Sequence, residues 1–162
     1  MERRWIALYV ENEVGVLAKI SGLFSSKSYN LESLTVGETQ DRSVSRMTIS
    51  FIGDDMTFEQ IKKQLNRSVW VIKVIDLSDI PVHMREILFI KVLGCSKSDK
   101  EEIFRIASVF QAKVAGYGKK DILVESVKTE AENNQIIQIF QQYFGNRMDV
   151  VRGGSVAIEG VL

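Results

Sequence analysis

Cysteine, histidine and proline each occur only once in the 162 residues of this chain, and each scarcity narrows the possible protein classes. A single cysteine, Cys95, excludes an intramolecular disulfide and a cysteine-based zinc site. Net charge is also lacking, because 21 lysines and arginines balance 21 aspartates and glutamates. No global field therefore draws the chain to nucleic acid or to an anionic membrane.

Long apolar runs are missing as well. No stretch approaches the ~20 apolar residues that a membrane span needs. The first residues, MERRW, lack the apolar core of a signal peptide. With one cysteine and no targeting segment, we expect a cytoplasmic protein that does not contact membranes.

Patterns typical of catalysis or metal binding are also absent. His83, the only candidate base, lies in a predicted loop, where a solvated side chain is the simpler interpretation. Cys95 follows a predicted strand and fits a small apolar filler. The adjacent Asp54 and Asp55 suit a turn before a helix better than a metal site. We therefore predict no catalytic residue and no metal site on this chain.

Pro81 lies at the midpoint of the chain, in the stretch LSDIPVHM, which has the length and composition of a linker. This predicts a first domain over residues 1–76, a linker over 77–84 and a second domain over 85–162. The two domains repeat one order of elements.

In the first domain, apolar patterns predict strands over residues 5–10, 31–37, 45–52 and 69–76. One helix is predicted to start near Val16 and another at a capping box formed by Thr57 and Gln60. In the second domain, strands are predicted over 86–93, 113–117, 122–127 and 148–158. Its helices are predicted to start at the capping boxes of Ser98 with Glu101 and Thr129 with Glu132.

Each domain therefore has the order βαββαβ, which predicts an α+β protein of two ferredoxin-like domains in tandem. Each would have a four-stranded antiparallel sheet with both helices on one face. Both faces of the first strand are apolar, with Trp5, Ala7 and Tyr9 on one and Ile6, Leu8 and Val10 on the other, so the open face of the sheet is apolar in either case. We expect this open face to pack against a second copy of the chain or against the other half.

RNA-binding domains share this order of elements and are one alternative. They carry a basic residue, a glycine and aromatic residues on the third strand. Here that strand reads RMTISFIG from Arg46, without the glycine after the basic residue and with Phe51 as its only aromatic residue. We therefore predict no nucleic-acid partner.

The corner ENEVGV, from Glu11 to Val16, joins the first strand to the first helix. A helix N-terminus offers unpaired backbone N–H groups, which bind anions. Gly15 either lets a ligand approach the backbone or simply makes the turn. Asn12 suits a turn as well as a contact with a ligand amine or carboxylate. Taken alone, these residues favour a plain turn.

The corner VENEVGVL, from Val10, resembles the ligand corner of ACT domains, small regulatory modules that bind amino acids. More specifically, the stretch from Gly22 to Gly37, followed by SRMTI from Ser45, resembles the regulatory small subunit of acetolactate synthase, also called acetohydroxyacid synthase. The similarity continues through IKKQLNR from Ile61, REILFIKV from Arg85 and RGGSV from Arg152.

This resemblance implies an N-terminal ACT domain and a C-terminal ACT-like domain, without an active site. The implied partner is the large catalytic subunit, which makes acetolactate from pyruvate in branched-chain amino acid biosynthesis. Thiamine diphosphate, magnesium and FAD are expected on that partner, and no cofactor is expected on this chain. The family's small subunit raises the activity of the large one and confers feedback inhibition by a branched-chain amino acid, typically valine.

The resemblance also implies that the effector binds between the ACT domains of a homodimer. One chain would contribute Asn12, Val14, Gly15, Val16 and Leu17, and the other Asn30 and Leu31. The amides at the helix start suit the carboxylate of valine, and apolar side chains suit its isopropyl group. Two alternatives stay open: an ACT-type amino-acid-binding regulator of another enzyme, and an activating subunit without an effector response.

Overall fold

The structure is a computed structural model that describes residues 1–27 and 29–162. The chain forms two compact units. The first comprises Met1–His83 with Val156–Leu162, and the second comprises Met84–Ser155. None of the described helices is long and apolar enough to cross a membrane.

The first unit contains the predicted βαββαβ order. Its elements are β1 (Glu2–Glu11), α1 (Val16–Ser25), β2 (Leu31–Glu38), β3 (Val44–Gly53), α2 (Asp55–Arg67) and β4 (Val71–Asp76). The strands form an antiparallel sheet in the order β2-β3-β1-β4, so β2 and β4 are its edges.

The core of the first unit lies between one face of the sheet and the two helices. Alternate residues of β1 and β3 point to this face, because successive side chains of a strand point to opposite sides. Both helices bury residues at helical spacing against it. The fully buried members of this core include Ile6, Leu8, Ile20, Phe24, Met47, Ile49, Phe51, Ile61 and Leu65. The Phe51 ring is central, at 5.3 Å from Phe24 and 5.8 Å from Phe58 between ring centroids.

The second part of the chain repeats the same order. Its elements are β5 (Val82–Val92), α3 (Lys97–Phe110), β6 (Lys113–Tyr117), β7 (Ile122–Lys128), α4 (Glu130–Phe144) and β8 (Met148–Glu159). The sheet order is β6-β7-β5-β8. The fold class predicted from the sequence, two ferredoxin-like domains in tandem, is therefore confirmed.

A polar network is buried in the second unit. Asn133 of α4, fully buried, accepts a hydrogen bond from Ser126 Oγ at 2.8 Å. Its Nδ2 atom donates to the carbonyl and the carboxylate of buried Glu86, at 3.3 and 3.2 Å. Arg152 of β8 pairs with the same carboxylate at 2.5 Å and also donates to Asn134 at 2.6 Å. The network thus ties α4 to strands β5, β7 and β8.

Two of the three predicted capping boxes are wrong. The helix α2 is capped by Asp54, whose side chain accepts from the Thr57 amide, so Thr57 lies inside the helix. The box of α3 is formed by Ser96 and Asp99, two residues earlier than predicted. In both cases the helix begins earlier than predicted, because an equally good or better capping residue, Asp54 or Ser96, precedes the predicted one. The box of Thr129 and Glu132 is confirmed.

The division into units differs from the predicted domain limits at two places. The predicted linker, 77–84, is shorter than expected, because β5 already begins at Val82; Pro81 is exposed. The end of the chain, predicted within the second domain, groups with the first unit instead. Its backbone is held there by bonds such as the one from the Gly160 amide to the Pro81 carbonyl, at 2.7 Å.

Candidate functional site

The corner between β1 and α1 turns at Gly15. Its φ of 85° and ψ of −6° lie in the left-handed region, which glycine adopts without steric cost. The first bond of the helical ladder runs from the Lys19 amide to the Gly15 carbonyl, at 3.1 Å. Before it, the Val16 amide bonds weakly to the Glu13 carbonyl, at 3.3 Å. The amides of Leu17 and Ala18 therefore remain at the helix end, where an anion binds.

The space beside this corner is open. A Cβ atom placed on Gly15 would meet no described atom within 4 Å. Val14 is fully exposed and Leu17 is 44% exposed, although both are apolar. Val16, in contrast, is buried in the core, so only its backbone faces the corner. A ligand here would meet backbone amides and two exposed apolar side chains.

Asn12 ties the corner to the hairpin between β2 and β3. Its backbone amide donates to the Ser43 carbonyl at 2.8 Å. Its side-chain Nδ2 donates to the Arg42 carbonyl at 2.8 Å and reaches the Glu38 carboxylate at 3.4 Å. The Oδ1 atom of Asn12 accepts no hydrogen bond among the described residues, and it is the atom that an ammonium group would use.

Asn30 and Leu31 lie at the opposite end of the sheet. Leu31 pairs with Phe51 near the end of β3, whereas Glu11, next to Asn12, pairs with Val44 at its start. The two pairs are seven residues apart along β3, or ~23 Å at the rise of a strand. One chain alone therefore does not bring the two parts of the predicted site together. Asn30 is exposed, and Leu31 packs partly against the core.

A cation and an aromatic ring mark the same corner. The Lys19 ammonium of α1 lies 3.6 Å from the ring centroid of Trp70, close enough for a cation–π contact. The Trp70 carbonyl accepts from the Glu11 amide at 2.9 Å. Trp70 therefore lies beside the end of β1, and its fluorescence is a natural reporter of changes at the corner.

The open face of the first sheet is partly covered by the end of the chain. Arg46 of β3 donates to the Tyr9 hydroxyl at 2.7 Å and to the Ala157 carbonyl at 2.8 Å. It also pairs with the Glu159 carboxylate at 3.2 Å. The Ala157 amide reaches Thr48 Oγ1 at 3.4 Å. We expected this face to be covered, and within the first unit its cover includes residues 156–159.

Each residue considered for catalysis or metal binding has another place in the structure. His83 is exposed on β5 instead of in a loop. Cys95 is buried, and burial raises the pKa of its thiol, which disfavours the reactive thiolate. Asp54 caps α2. Among the described residues, no group of three or more histidines, cysteines or carboxylates could hold a metal ion.

The fold is that of ACT-type regulatory domains. A family model described as an AHAS small subunit-like ACT domain matches residues 6–73. A second model, described as the small subunit of acetolactate synthase, matches residues 85–161.

Known proteins match nearly the whole length of this chain. An acetolactate synthase small subunit of Aquifex aeolicus is 40% identical over 94% of this chain and 79% of its own length. One from Haemophilus influenzae is 35% identical over 96% and 94%. The crystal structure of the small subunit from Thermotoga maritima is 30% identical, has a TM-score of 0.88, and covers 100% of this chain and 99% of that one. The chain belongs to the acetolactate synthase small-subunit family.

Proposed function

We propose that this chain is the non-catalytic regulatory subunit of an acetolactate synthase. It binds a large catalytic subunit in the cytoplasm, raises that subunit's activity and makes it sensitive to valine. Thiamine diphosphate, magnesium and FAD belong to the large subunit in this proposal. The observation that carries it is the match to small subunits over both units of the chain.

The corner between β1 and α1 supports an amino-acid effector. The amides of Leu17 and Ala18 lie at the start of α1, where the helix dipole favours a carboxylate. The Oδ1 atom of Asn12 accepts from the effector ammonium. The exposed side chains of Val14 and Leu17 cover its isopropyl group, which burial stabilises by about 1.5–3 kcal/mol for a side chain of this size.

A homodimer completes the site. The strand β2 (Leu31–Glu38) is an edge of the sheet, and a sheet edge is where a second strand can pair. If two copies of β2 pair antiparallel about a two-fold axis, the start of one lies beside the end of the other. Asn30 of the second copy then lies near Glu38 of the first, and Asn12 already contacts Glu38. This pairing brings Asn12 and Asn30 to one place, which a single chain does not.

Reconstitution with the large subunit tests the proposal. Acetolactate formation is measured for the large subunit alone, for this chain alone and for the mixture, with thiamine diphosphate, magnesium and FAD present. We expect no activity from this chain alone, a higher turnover in the mixture, and inhibition of the mixture by valine. Acetolactate formation by the purified chain alone, or a mixture no faster than the large subunit, would contradict the regulatory role.

One observation favours a second candidate, an activating subunit that does not respond to an effector. Glu13 is exposed within the corner, and its negative charge opposes a carboxylate ligand nearby. In the same assay this candidate gives activation without inhibition by valine, leucine or isoleucine. If inhibition is missing, Glu13→Gln tests the reason. It restores inhibition only if repulsion between Glu13 and the effector carboxylate prevents binding.

A further inference from the structure

A cavity of about 560 Å³ opens on the sheet face of the first unit that the helices leave free. Tyr9, Arg46 and Thr48 contribute to it from β1 and β3. The hairpin between β2 and β3 lies on one side, and Val156 and Ile158 from the end of the chain on another. Its volume is in the range of cavities that bind small molecules. No described residue of the 12–17 corner lines it.

Gly37 is the feature that leaves the cavity open. It lies opposite Arg46 in the sheet, so a side chain at this position would point to the same face. A Cβ atom there would meet no described atom within 4 Å, and its φ is not in the left-handed region. Neither packing nor backbone conformation therefore requires a glycine, which is unfavourable within a strand. The missing side chain adds to the space in the cavity.

The charges around the cavity select the sign of the ligand. Arg46 is the one cation among the described lining residues, and its charge is paired with Glu159. Two carboxylates, Glu38 and Asp41, line the hairpin side. Hydrogen bonds from the side chain and backbone of Ser43 lower the pKa of Asp41, so its carboxylate is ionised at neutral pH. The unbalanced charge at the cavity is negative.

The rest of the lining combines apolar surface with hydroxyl groups. Val36, Val156 and Ile158 are 49%, 62% and 57% exposed and together form an apolar patch at this cavity. Thr35 and Thr48 add hydroxyl groups on the sheet. We propose that this cavity binds a small organic cation with an apolar body. None of residues 12–17 lines it, although Glu38 borders both this cavity and the effector corner.

Three matched probes test this inference on the full chain: 3-phenylpropylamine, 3-phenylpropan-1-ol and 3-phenylpropanoic acid. Their dissociation constants are measured at pH 7 from chemical-shift changes in amide NMR spectra. We expect the amine to bind about tenfold more tightly than the acid, because two partly exposed carboxylates attract one and repel the other. The shifts should map to 35–41, 46–48 and 156–158. Equal affinities, or tighter binding of the acid, would overturn the proposal.

Variants of the lining supply the second arm. Gly37→Val fills the cavity with a residue that strands favour, and we expect it to abolish binding of the amine while the chain stays folded. Gly37→Ala should weaken binding by less. Asp41→Asn keeps the acceptor for Ser43 and removes the charge, so it should narrow the difference between amine and alcohol. Amine binding that survives Gly37→Val unchanged would refute the site.

The proposal does not rest on the effector site, and one control keeps the two apart. Gly15→Glu alters the corner and should leave amine binding unchanged. If the cavity is instead filled by a second copy of the chain, Gly37→Val weakens the homodimer in sedimentation experiments and no probe binds. That result would overturn the small-molecule assignment and leave the effector site untouched.

Discussion

Asn133 and its neighbour Asn134 form a natural pair for testing the buried network of the second unit. Asn133→Leu removes the acceptor of the Ser126 hydroxyl. It also removes the two hydrogen bonds that Asn133 Nδ2 donates to the carbonyl and the carboxylate of Glu86. Arg152 still pairs with Glu86, so no buried charge loses its counter-ion. The Ser126 hydroxyl therefore loses its acceptor, and Glu86 loses the Asn133 donor but keeps Arg152. Asn134→Leu, in contrast, removes one exposed acceptor of Arg152.

The two variants should change the free energy of unfolding by clearly different amounts. A buried polar group without a partner costs ~1–3 kcal/mol. For Asn133→Leu we expect the free energy of unfolding to fall by about 3 kcal/mol, since Ser126 and Glu86 are both affected and the added leucine offsets only part. For Asn134→Leu we expect a change of no more than about 0.5 kcal/mol, as is usual at exposed positions.

Urea unfolding followed by far-ultraviolet circular dichroism measures both changes. With a slope of ~1.5 kcal/mol per molar urea for a small unit, the midpoint of Asn133→Leu should fall by about 2 M. The midpoint of Asn134→Leu should stay within about 0.5 M of the parent. Equal shifts for the two variants would refute the reasoning, because it assigns the stability to burial and hydrogen bonding of Asn133 alone.

Three further predictions concern charge, the end of the chain and the effector corner. Hydrogen bonds from Arg147 lower the pKa of Asp99 from 3.8 to about 2. The Asp99 carboxylate therefore contributes stability above pH 3.8, and this contribution is lost as the pH falls toward 2. In an acid-unfolding curve, Arg147→Gln should reduce the change in stability between pH 3.8 and 2. Arg46→Gln should speed hydrogen exchange at the Ala157 amide by loosening the end of the chain, and unchanged exchange would contradict the contacts of Arg46. Gly15→Glu should abolish valine binding in calorimetry while the reconstituted enzyme keeps its activation, and tight binding by this variant would place the effector elsewhere.

The order of elements could be predicted from the sequence because apolar spacing reports which face of each element is buried. In β3, apolar Met47, Ile49 and Phe51 alternate in sequence with polar Thr48 and Ser50, although all five are buried. The apolar residues of α1 and α2 recur at helical spacing. The first residues of the helices were harder to predict from the sequence. The pattern of a Ser or Thr followed by Glu or Gln occurs at Thr57 and Ser98, but the helices begin earlier. The side chains of Asp54 and Ser96 accept from the amides of Thr57 and Asp99 and cap them there.

The corner at Gly15 could be located from sequence, but its surroundings could not. Its left-handed conformation is the one for which glycine is best suited, so the turn is a local property. The partners of Asn12, on the other hand, are 26 and 30 residues away in the chain. Its assignment to an effector came from the family resemblance and stays a prediction.

No local pattern in the sequence predicts which segment covers the open face of the first sheet. Arg46 contacts Ala157 and Glu159 across 111 and 113 residues of chain. No periodicity or motif links a polar residue on a central strand to the end of the chain, since such contacts depend on the tertiary path. Covering of this face could be predicted from its apolar residues, but the covering segment could not.

If two chains build each effector site, a heterodimer of two defective variants should recover one intact site. Gly15→Glu damages the corner, and Asn30→Leu damages the part contributed by the second chain. Neither homodimer should bind valine as the parent does. A heterodimer that carries one variant in each chain has one site with both defects and one site with none.

Heterodimers are prepared by co-expressing the two variants with different affinity tags and purifying over both. Isothermal titration calorimetry then counts the valine sites and measures their affinity. If Asn12 and Gly15 of one chain act with Asn30 of the other, we expect about one site per heterodimer, half the number in the parent dimer, with the parental affinity. If heterodimers bind no valine while the parent does, each site is built within a single chain and the account is contradicted.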